Sequence, residues 1–139
     1  MNVDIFLPEY DIKRGSAEMN RLELEKYIYD TYGVMPEYPW EKYNSYGVFR
    51  HCDNKKWFAV IMRIPIGKFG VTENREVDVV NLKITDKVLE MAWCLEGVFP
   101  AYHMNKTHGV SVLLDGSVDE KHVKILVDTS FNATAKKPC

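Results

Sequence analysis

A nearly uninterrupted apolar stretch at residues 57–64, ended by Pro65, most strongly limits what this chain can fold into. A strand that is apolar at almost every position needs cover on both of its faces. The stretch follows a turn-forming run, Asp-Asn-Lys-Lys at 53–56, and residues 47–52 have the composition of a short strand. These segments predict an antiparallel hairpin. The apolar stretch is far shorter than the ~20 residues that span a bilayer, so we expect no membrane segment.

Two further strands extend this hairpin into a sheet. Residues 66–76 contain Gly67, Gly70 and several charges, which favours a long hairpin loop. Residues 77–84 return as a strand, and residues 110–114 form a fourth strand that ends at an Asp-Gly turn. We interpret residues 98–106, which precede the fourth strand, as a connecting segment.

Helical periodicity and capping residues predict three helices. Asn20 with Glu23 resembles a capping box and Gly33 a helix stop, which bounds the first helix. The second helix begins near Thr85 or Asp86 and ends at Gly97, and the third begins at a capping box of Ser117 and Glu120. Their expected buried stripes are Val88, Met91, Ala92 and Leu95 in the second helix and Val123, Leu126, Val127 and Phe131 in the third.

The resulting order, α-β-β-β-α-β-α, predicts an α+β fold with helices packed on a single antiparallel sheet. We divide the chain into an N-terminal arm at 1–19, one domain at 20–135 and a short tail at 136–139. A length of 139 residues with 46% apolar residues suits one domain with its own core. The N-terminus has no secretory pattern and the three cysteines form no C-x-x-C pair, so we expect a cytoplasmic protein with reduced thiols and no cofactor.

The strongest polar signal is the run from His103 to His108, which also contains Asn105 and Lys106. These four side chains suit a ligand or phosphate contact, or a structural role in holding the turn before the next strand. Two histidines five residues apart do not share one helical face, and on a strand they point to opposite sides. No carboxylate or thiolate completes a ligand set nearby, so the spacing does not favour a metal site.

The same run carries a family resemblance. The segments Phe99–His108, Val112–Ser117 and Leu126–Phe131, with Asn81-Leu82-Lys83, resemble the MmcQ/YjbR family pattern over roughly residues 20–135. The chain departs from that pattern at Gly109, where a Trp is usual, and at Phe131, where a Tyr is usual. The resemblance implies a CyaY-like fold with a "double-wing" arrangement of hairpins that is thought to bind DNA.

One functional hypothesis is therefore weak DNA binding through the two hairpin loops. Residues 46–110 contain nine basic and seven acidic residues, a mild positive excess, although the whole chain has a net charge of −2. We expect the turn at 53–56, the loop at 66–76 and the histidine-rich run to lie on a common exposed side. In this hypothesis Lys55, Lys56, Lys68 and Arg75 meet phosphates, and Lys83, Lys106 and His108 flank them.

A small-molecule pocket is the alternative hypothesis, and a protein-interaction module is a third. The segment after the first helix is rich in aromatic residues, which could line a pocket, stack on bases or seal the core. The pocket would be built around Tyr38, Trp40, Tyr102, His103 and Asn105. A concave apolar pocket beside His103 would favour this alternative, and a flat, basic, two-pronged surface would favour DNA. No catalytic motif is recognisable, so we expect a monomeric binding domain without enzymatic activity.

Overall fold

Five strands form a single antiparallel sheet. The computed structural model of the chain describes residues 19–84, 86–104 and 108–136, and for residues 86 and 87 it describes the backbone alone. The strands are β1 (Gly47–Arg50), β2 (Trp57–Pro65), β3 (Glu76–Lys83), β4 (Val98–Pro100) and β5 (Gly109–Leu113), in the spatial order β1-β2-β3-β5-β4. The predicted α+β class with one antiparallel sheet is confirmed. The predicted arm lies outside the described residues except for Met19, as does the end of the tail.

Within the described residues, three helices accompany the sheet, namely α1 (Arg21–Tyr32), α2 (Asp86–Trp93) and α3 (Glu120–Thr134). Leu24 and Ile28 of α1 and Val123 and Val127 of α3 are buried in one cluster with residues of the sheet. No helix of the described part is long and apolar enough to cross a membrane. The large apolar cluster between helices and sheet is the main core of the domain.

Local sequence was sufficient to predict the caps of α1 but not the cap of α3. Asn20 caps α1 by accepting a hydrogen bond from the backbone N–H of Glu23, and Gly33 ends the helix with a positive φ of 70°, as predicted. The predicted capping box of α3 was wrong. Asp119 caps that helix by accepting from Lys121 N, whereas the Ser117 hydroxyl donates to the Asp115 carboxylate.

Three other sequence predictions need correction. Residues 98–106 contain the short strand β4, which was predicted as a connection. The loop at 66–76 begins with a 3-10 helix, Ile66–Phe69. In α2, Met91 is 71% exposed and Leu89 takes the buried position that the predicted stripe assigned to Met91.

The prediction that β2 is covered on both faces is confirmed over most of its length. Ala59 and Ile61 belong to the core beneath the helices, and Met62 and Ile64 belong to a second apolar cluster on the opposite face. Ile66, Val77 and Leu113 lie in that second cluster, and Phe69, Phe99 and Tyr102 pack against it. The half of this face that lies toward β1 instead forms an open groove.

A β-bulge determines which side chains face this groove. Phe49 pairs with Ala59 and Arg50 pairs with Trp57, so Phe58 is an extra residue in β2. Phe58 is therefore buried among Tyr32, His51 and Phe131 on the helix side. Trp57 consequently shares the groove face with Arg50.

The expectation that both hairpin loops share one exposed side was wrong. The turn at 53–56 joins β1 to β2 at one end of the sheet, whereas residues 66–75 join β2 to β3 at the other end. The nine residues of β2 separate the two loops by about 30 Å, because a strand rises by about 3.3 Å per residue. Of the predicted histidine-rich run, His108 lies at the same end of the sheet as the 53–56 turn, because the neighbouring Gly109 pairs with Lys83 at the end of β3.

Candidate functional site

The groove has a volume of about 340 Å³ and lies on the face of the sheet that the helices leave uncovered. Its floor is formed by side chains of β1, β2 and β3, chiefly Val48, Val60 and Asn81. Val48 pairs with Val60, and Val60 pairs with Asn81, so the floor crosses three neighbouring strands. The remaining lining residues are Trp40, Tyr43, Tyr46, Arg50, Trp57, Met62, His103 and Met104.

An aromatic wall borders the groove on the side of β1. Tyr43 stacks on Tyr46 with ring centroids 5.0 Å apart, and Trp40 meets Tyr46 edge-on at 6.2 Å. Burial and the neighbouring phenols of Tyr102 and Tyr43 raise the pKa of Tyr46, so its hydroxyl stays protonated. Trp40 and Tyr43 are 44% and 47% exposed, so the wall has free ring surface toward the groove and the solvent.

His103 and Met104 form the opposite wall. His103 has a φ of 62°, in the left-handed region, and its ring lies 3.9 Å from that of Tyr102. The Met104 side chain lies against Gly109, where an added Cβ would collide with the methionine methyl group. Gly109, the position at which the family pattern has Trp, is therefore what allows Met104 to border the groove.

A buried polar network supports the groove from below. The Ser111 hydroxyl donates to Asn81 Oδ1 at 2.5 Å and accepts from the Tyr102 backbone N–H at 2.9 Å. Asn81 Nδ2 donates to the Tyr102 carbonyl at 2.6 Å. The segment leading to His103 is thus attached to β3 and β5 by two hydrogen bonds, and a third joins the two strands, which fixes the wall relative to the floor.

Cationic side chains gather at the Trp57 end of the groove. The Lys83 ammonium lies 4.1 Å from the centroid of the Trp57 ring, a cation–π contact. Burial, and then the charges of Lys56 and Arg50, lower the pKa of Lys83. Arg50 lines the groove and forms an ion pair at 3.4 Å with Glu37, whose side chain is 61% exposed.

The residues of the DNA hypothesis fall into two groups. Lys55, Lys56, Lys83 and His108 lie at the Trp57 end, whereas Lys68 lies at the opposite end in the 3-10 helix. Arg75 also lies at that opposite end and is paired with Glu73 at 2.5 Å and with Asp115 at 2.9 Å. Lys106 lies outside the described residues. DNA binding stays a prediction, and the single surface that it assumed is not present.

The predicted pocket residues are brought together in part. Trp40 and His103 line the groove. Tyr38 packs beside Gly47, and Tyr102 lies behind His103 with its carbonyl bound to Asn81, so neither is among the lining residues. Asn105 lies outside the described residues.

Sequence reasoning missed most of the floor, and at the charged end it named Lys56 and Lys83 but missed Arg50 and Trp57. The alternation of Val48 with Arg50 and of Val60 with Met62 could have identified the floor, because alternate strand residues share a face. Trp57 departs from that alternation because of the bulge at Phe58. Among the described residues no group of three or more His, Cys, Asp or Glu is placed to hold a metal ion.

Comparisons with known proteins agree with this architecture. The family model described as YjbR matches residues 29–133. The uncharacterized protein YyaQ of Bacillus subtilis is 35% identical over 116 residues, which cover 84% of this chain and 98% of YyaQ. A crystal structure of a Pseudomonas syringae protein is 41% identical, with a TM-score of 0.81 over 84% of this chain and 100% of that chain. A Deinococcus radiodurans protein with a DUF419 domain has a TM-score of 0.62 at 21% identity, covering 86% and 80%, which shows the fold alone.

Proposed function

The chain belongs to the YjbR family, and from this premise we propose that it is a non-enzymatic binding domain whose groove holds a small planar molecule. The observation that supports this proposal most directly is the concave apolar surface beside His103 with its aromatic wall. A volume of about 340 Å³ is within the range of about 300–1,000 Å³ that is usual for small-molecule sites.

The shape of the groove favours a flat ligand. Val48 and Val60 give a smooth apolar floor on the pleated sheet, and the rings of Tyr43 and Trp40 stand beside it. A planar ring placed over the valines could contact the floor with one face and the aromatic wall with its edge or its other face. Binding removes apolar surface of the ligand and of the exposed rings from water, which contributes a favourable free energy of binding.

The same observations support a small molecule over duplex DNA. The groove is lined mainly by apolar and aromatic side chains, and the cations of the two loops lie at opposite ends of the sheet. A duplex is recognised through phosphates along an extended basic surface, which this arrangement does not favour.

The proposal is tested by titration with a neutral planar probe, 2-naphthalenemethanol, followed by tryptophan fluorescence. Trp93 lies outside the groove, so the Trp93→Phe variant reports from Trp40 and Trp57, which both line it. We expect saturable quenching in this background. Tyr43→Ala should weaken the binding by about tenfold, because the wall loses an aromatic contact.

Tyr29→Ala is the matched control. Tyr29 is 56% exposed on α1, away from the groove, so its removal should leave the affinity unchanged. Absence of saturable quenching in the parent protein, or equal weakening by Tyr43→Ala and Tyr29→Ala, would contradict the proposal.

A further inference from the structure

The Trp57 end of the groove combines an aromatic ring with three cationic side chains. Arg50 pairs with Trp57 across the hairpin, Lys56 precedes Trp57 in the chain, and the Lys83 ammonium lies 4.1 Å from the Trp57 ring centroid. Asn81 and Lys83 are two residues apart on β3, so they lie on the same face of the sheet. The cations therefore border the polar corner of the groove floor.

Two of these three cations form no ion pair with a carboxylate of the described residues. Among the described residues, Glu37 pairs with Arg50, and no ion pair is present for Lys56 or Lys83. Among the other described cations some form ion pairs with carboxylates, namely Arg21, Lys26, Arg63, Arg75 and Lys124, whereas Lys42, Lys55, Lys68, Lys121 and Lys136 form none with described residues. Lys56 and Lys83 repel each other and Arg50, and an anion bound between the three side chains would relieve this repulsion.

The backbone of the turn that carries Lys56 is also held in place. His51 N donates to Lys56 O at 2.8 Å, and Asn54 Oδ1 accepts from Lys56 N at 2.8 Å. Asn54 Nδ2 donates to the carbonyl of Thr134, which attaches the turn to the end of α3. A site whose backbone is already fixed loses little conformational entropy when it binds a ligand.

We propose that the groove binds a planar aromatic anion, whose ring lies over Val48 and Val60 and whose carboxylate or phosphate is held by Arg50, Lys56 and Lys83. This inference rests on the proposed function and adds the charge of the ligand and its orientation. The apolar floor and aromatic wall accept the ring, and the Trp57 end supplies the opposite charge. A guanidinium beside ammonium groups suits a small oxyanion, because charge-assisted hydrogen bonds are the stronger ones.

The test compares three probes that share one ring system, 2-naphthoate, 2-naphthyl phosphate and the neutral 2-naphthalenemethanol. Affinities are measured by quenching in the Trp93→Phe background at low ionic strength. We expect the tighter of the two anions to bind at least about tenfold more tightly than the alcohol. Which anion binds more tightly distinguishes a carboxylate ligand from a phosphate ester.

Charge removal shows where the anion is held. Lys83→Met and Lys56→Met should each reduce the preference for the anion by about tenfold and leave the affinity for the alcohol unchanged. Lys121→Met removes an exposed cation of α3 outside the groove and should change neither affinity. Lys56 is exposed in the turn, so its variant gives the result even if Lys83→Met does not fold.

The outcomes separate this inference from the proposed function. Equal affinity for the alcohol and both anions would overturn the anion site and leave the small-molecule groove intact. Binding of none of the three probes would overturn both. Displacement of 2-naphthoate by a single-stranded oligonucleotide that binds more tightly than any naphthyl probe would also overturn the small-molecule assignment, in favour of nucleic acid.

Discussion

A single buried histidine connects the first hairpin to the end of α3. His51 is 6% exposed, and its Nε2 lies 2.8 Å from Thr134 Oγ1. The Thr134 hydroxyl donates to the Ser130 carbonyl at 2.9 Å, so its oxygen accepts from His51, and Nε2 carries a proton. The ring packs against Phe58 and Phe131, with centroids 5.1 Å and 4.3 Å away. The neutral form of the His51 imidazole therefore provides the hydrogen bond that Thr134 accepts and carries no charge into this buried position.

This environment predicts a loss of stability in mild acid. Burial is the main cause that lowers the pKa of His51, Lys56 and Lys83 lower it further, and Asp53 opposes them. The unfolded chain, with a pKa of about 6.5, then binds more protons than the folded one. The contribution of His51 to the free energy of unfolding is therefore complete above about pH 6.5, and it is lost as the pH falls through the lowered pKa of the folded state.

Urea unfolding at a series of pH values between about 7.5 and 5 measures this contribution. His51→Gln keeps an amide donor for Thr134 without titrating, so it should flatten the pH dependence. His122→Gln, at an exposed position of α3, should retain the parental slope. Identical slopes in the parent and in His51→Gln would exclude His51 as the cause.

At the scale of elements, α3 completes the hydrogen bonding at the end of the pairing between β2 and β3. Ser130 is fully buried, its hydroxyl donates to the Phe58 carbonyl at 2.5 Å, and it accepts from Lys83 N at 2.8 Å. The pairing of β2 with β3 starts at Ala59 and Leu82, and the serine bridges the two strands one residue beyond that pair. Asp128, two residues earlier, accepts hydrogen bonds from Tyr27 and Tyr32 and thereby joins α3 to α1.

Ser130→Ala should destabilise the fold by about 2 kcal/mol, because it leaves a buried carbonyl and a part-buried N–H without their partner. Thr129→Ala is the matched control. The Thr129 hydroxyl bonds to the Ile125 carbonyl of the same helix, so its loss should change stability by at most about 0.5 kcal/mol. Urea unfolding at neutral pH measures both variants. Equal stability of the two would show that the bridge contributes little.

Elements with local signals were predictable from the sequence, and those set by pairing were not. Asn20 and Gly33 cap α1 through contacts a few residues apart, so the sequence was sufficient. For α3, Ser117 and Asp119 were both chemically suitable caps, and the bond of Ser117 to Asp115 decided between them. Strand β4 has three residues and pairs only where β5 supplies a partner. Such a strand has too little sequence for a periodic signal.

The candidate site was predictable to a similar extent. Trp40 and His103 were identified from the aromatic segment and the polar run. The place of Trp57 depends on the bulge, and that of Met104 depends on the space above Gly109. Both are consequences of how strands meet, which one chain segment does not encode.

At the scale of the whole molecule, the position of positive charge follows from the meander of the first three strands. Successive hairpin turns lie at opposite ends of an antiparallel sheet, so Lys56 and Lys68 are separated by the length of β2. Of these two ends of the sheet, only the one that carries Lys56 adjoins the charged part of the groove. Two loops that looked equivalent in the sequence are therefore inequivalent in the fold, and charge reversal can distinguish their roles.

We expect Lys56→Glu to weaken binding of 2-naphthoate by more than about tenfold, since it replaces an attraction by a repulsion, and Lys68→Glu to leave it unchanged. A short duplex DNA titrated at low and at high salt provides the second measurement. Recognition through both loops requires that each variant weakens duplex binding and reduces its salt dependence, because each removes a phosphate contact. If the two substitutions weaken duplex binding to a similar extent and Lys56→Glu leaves the affinity for 2-naphthoate unchanged, the groove is not the anion-binding site. An extended nucleic-acid-binding surface would then be the better assignment.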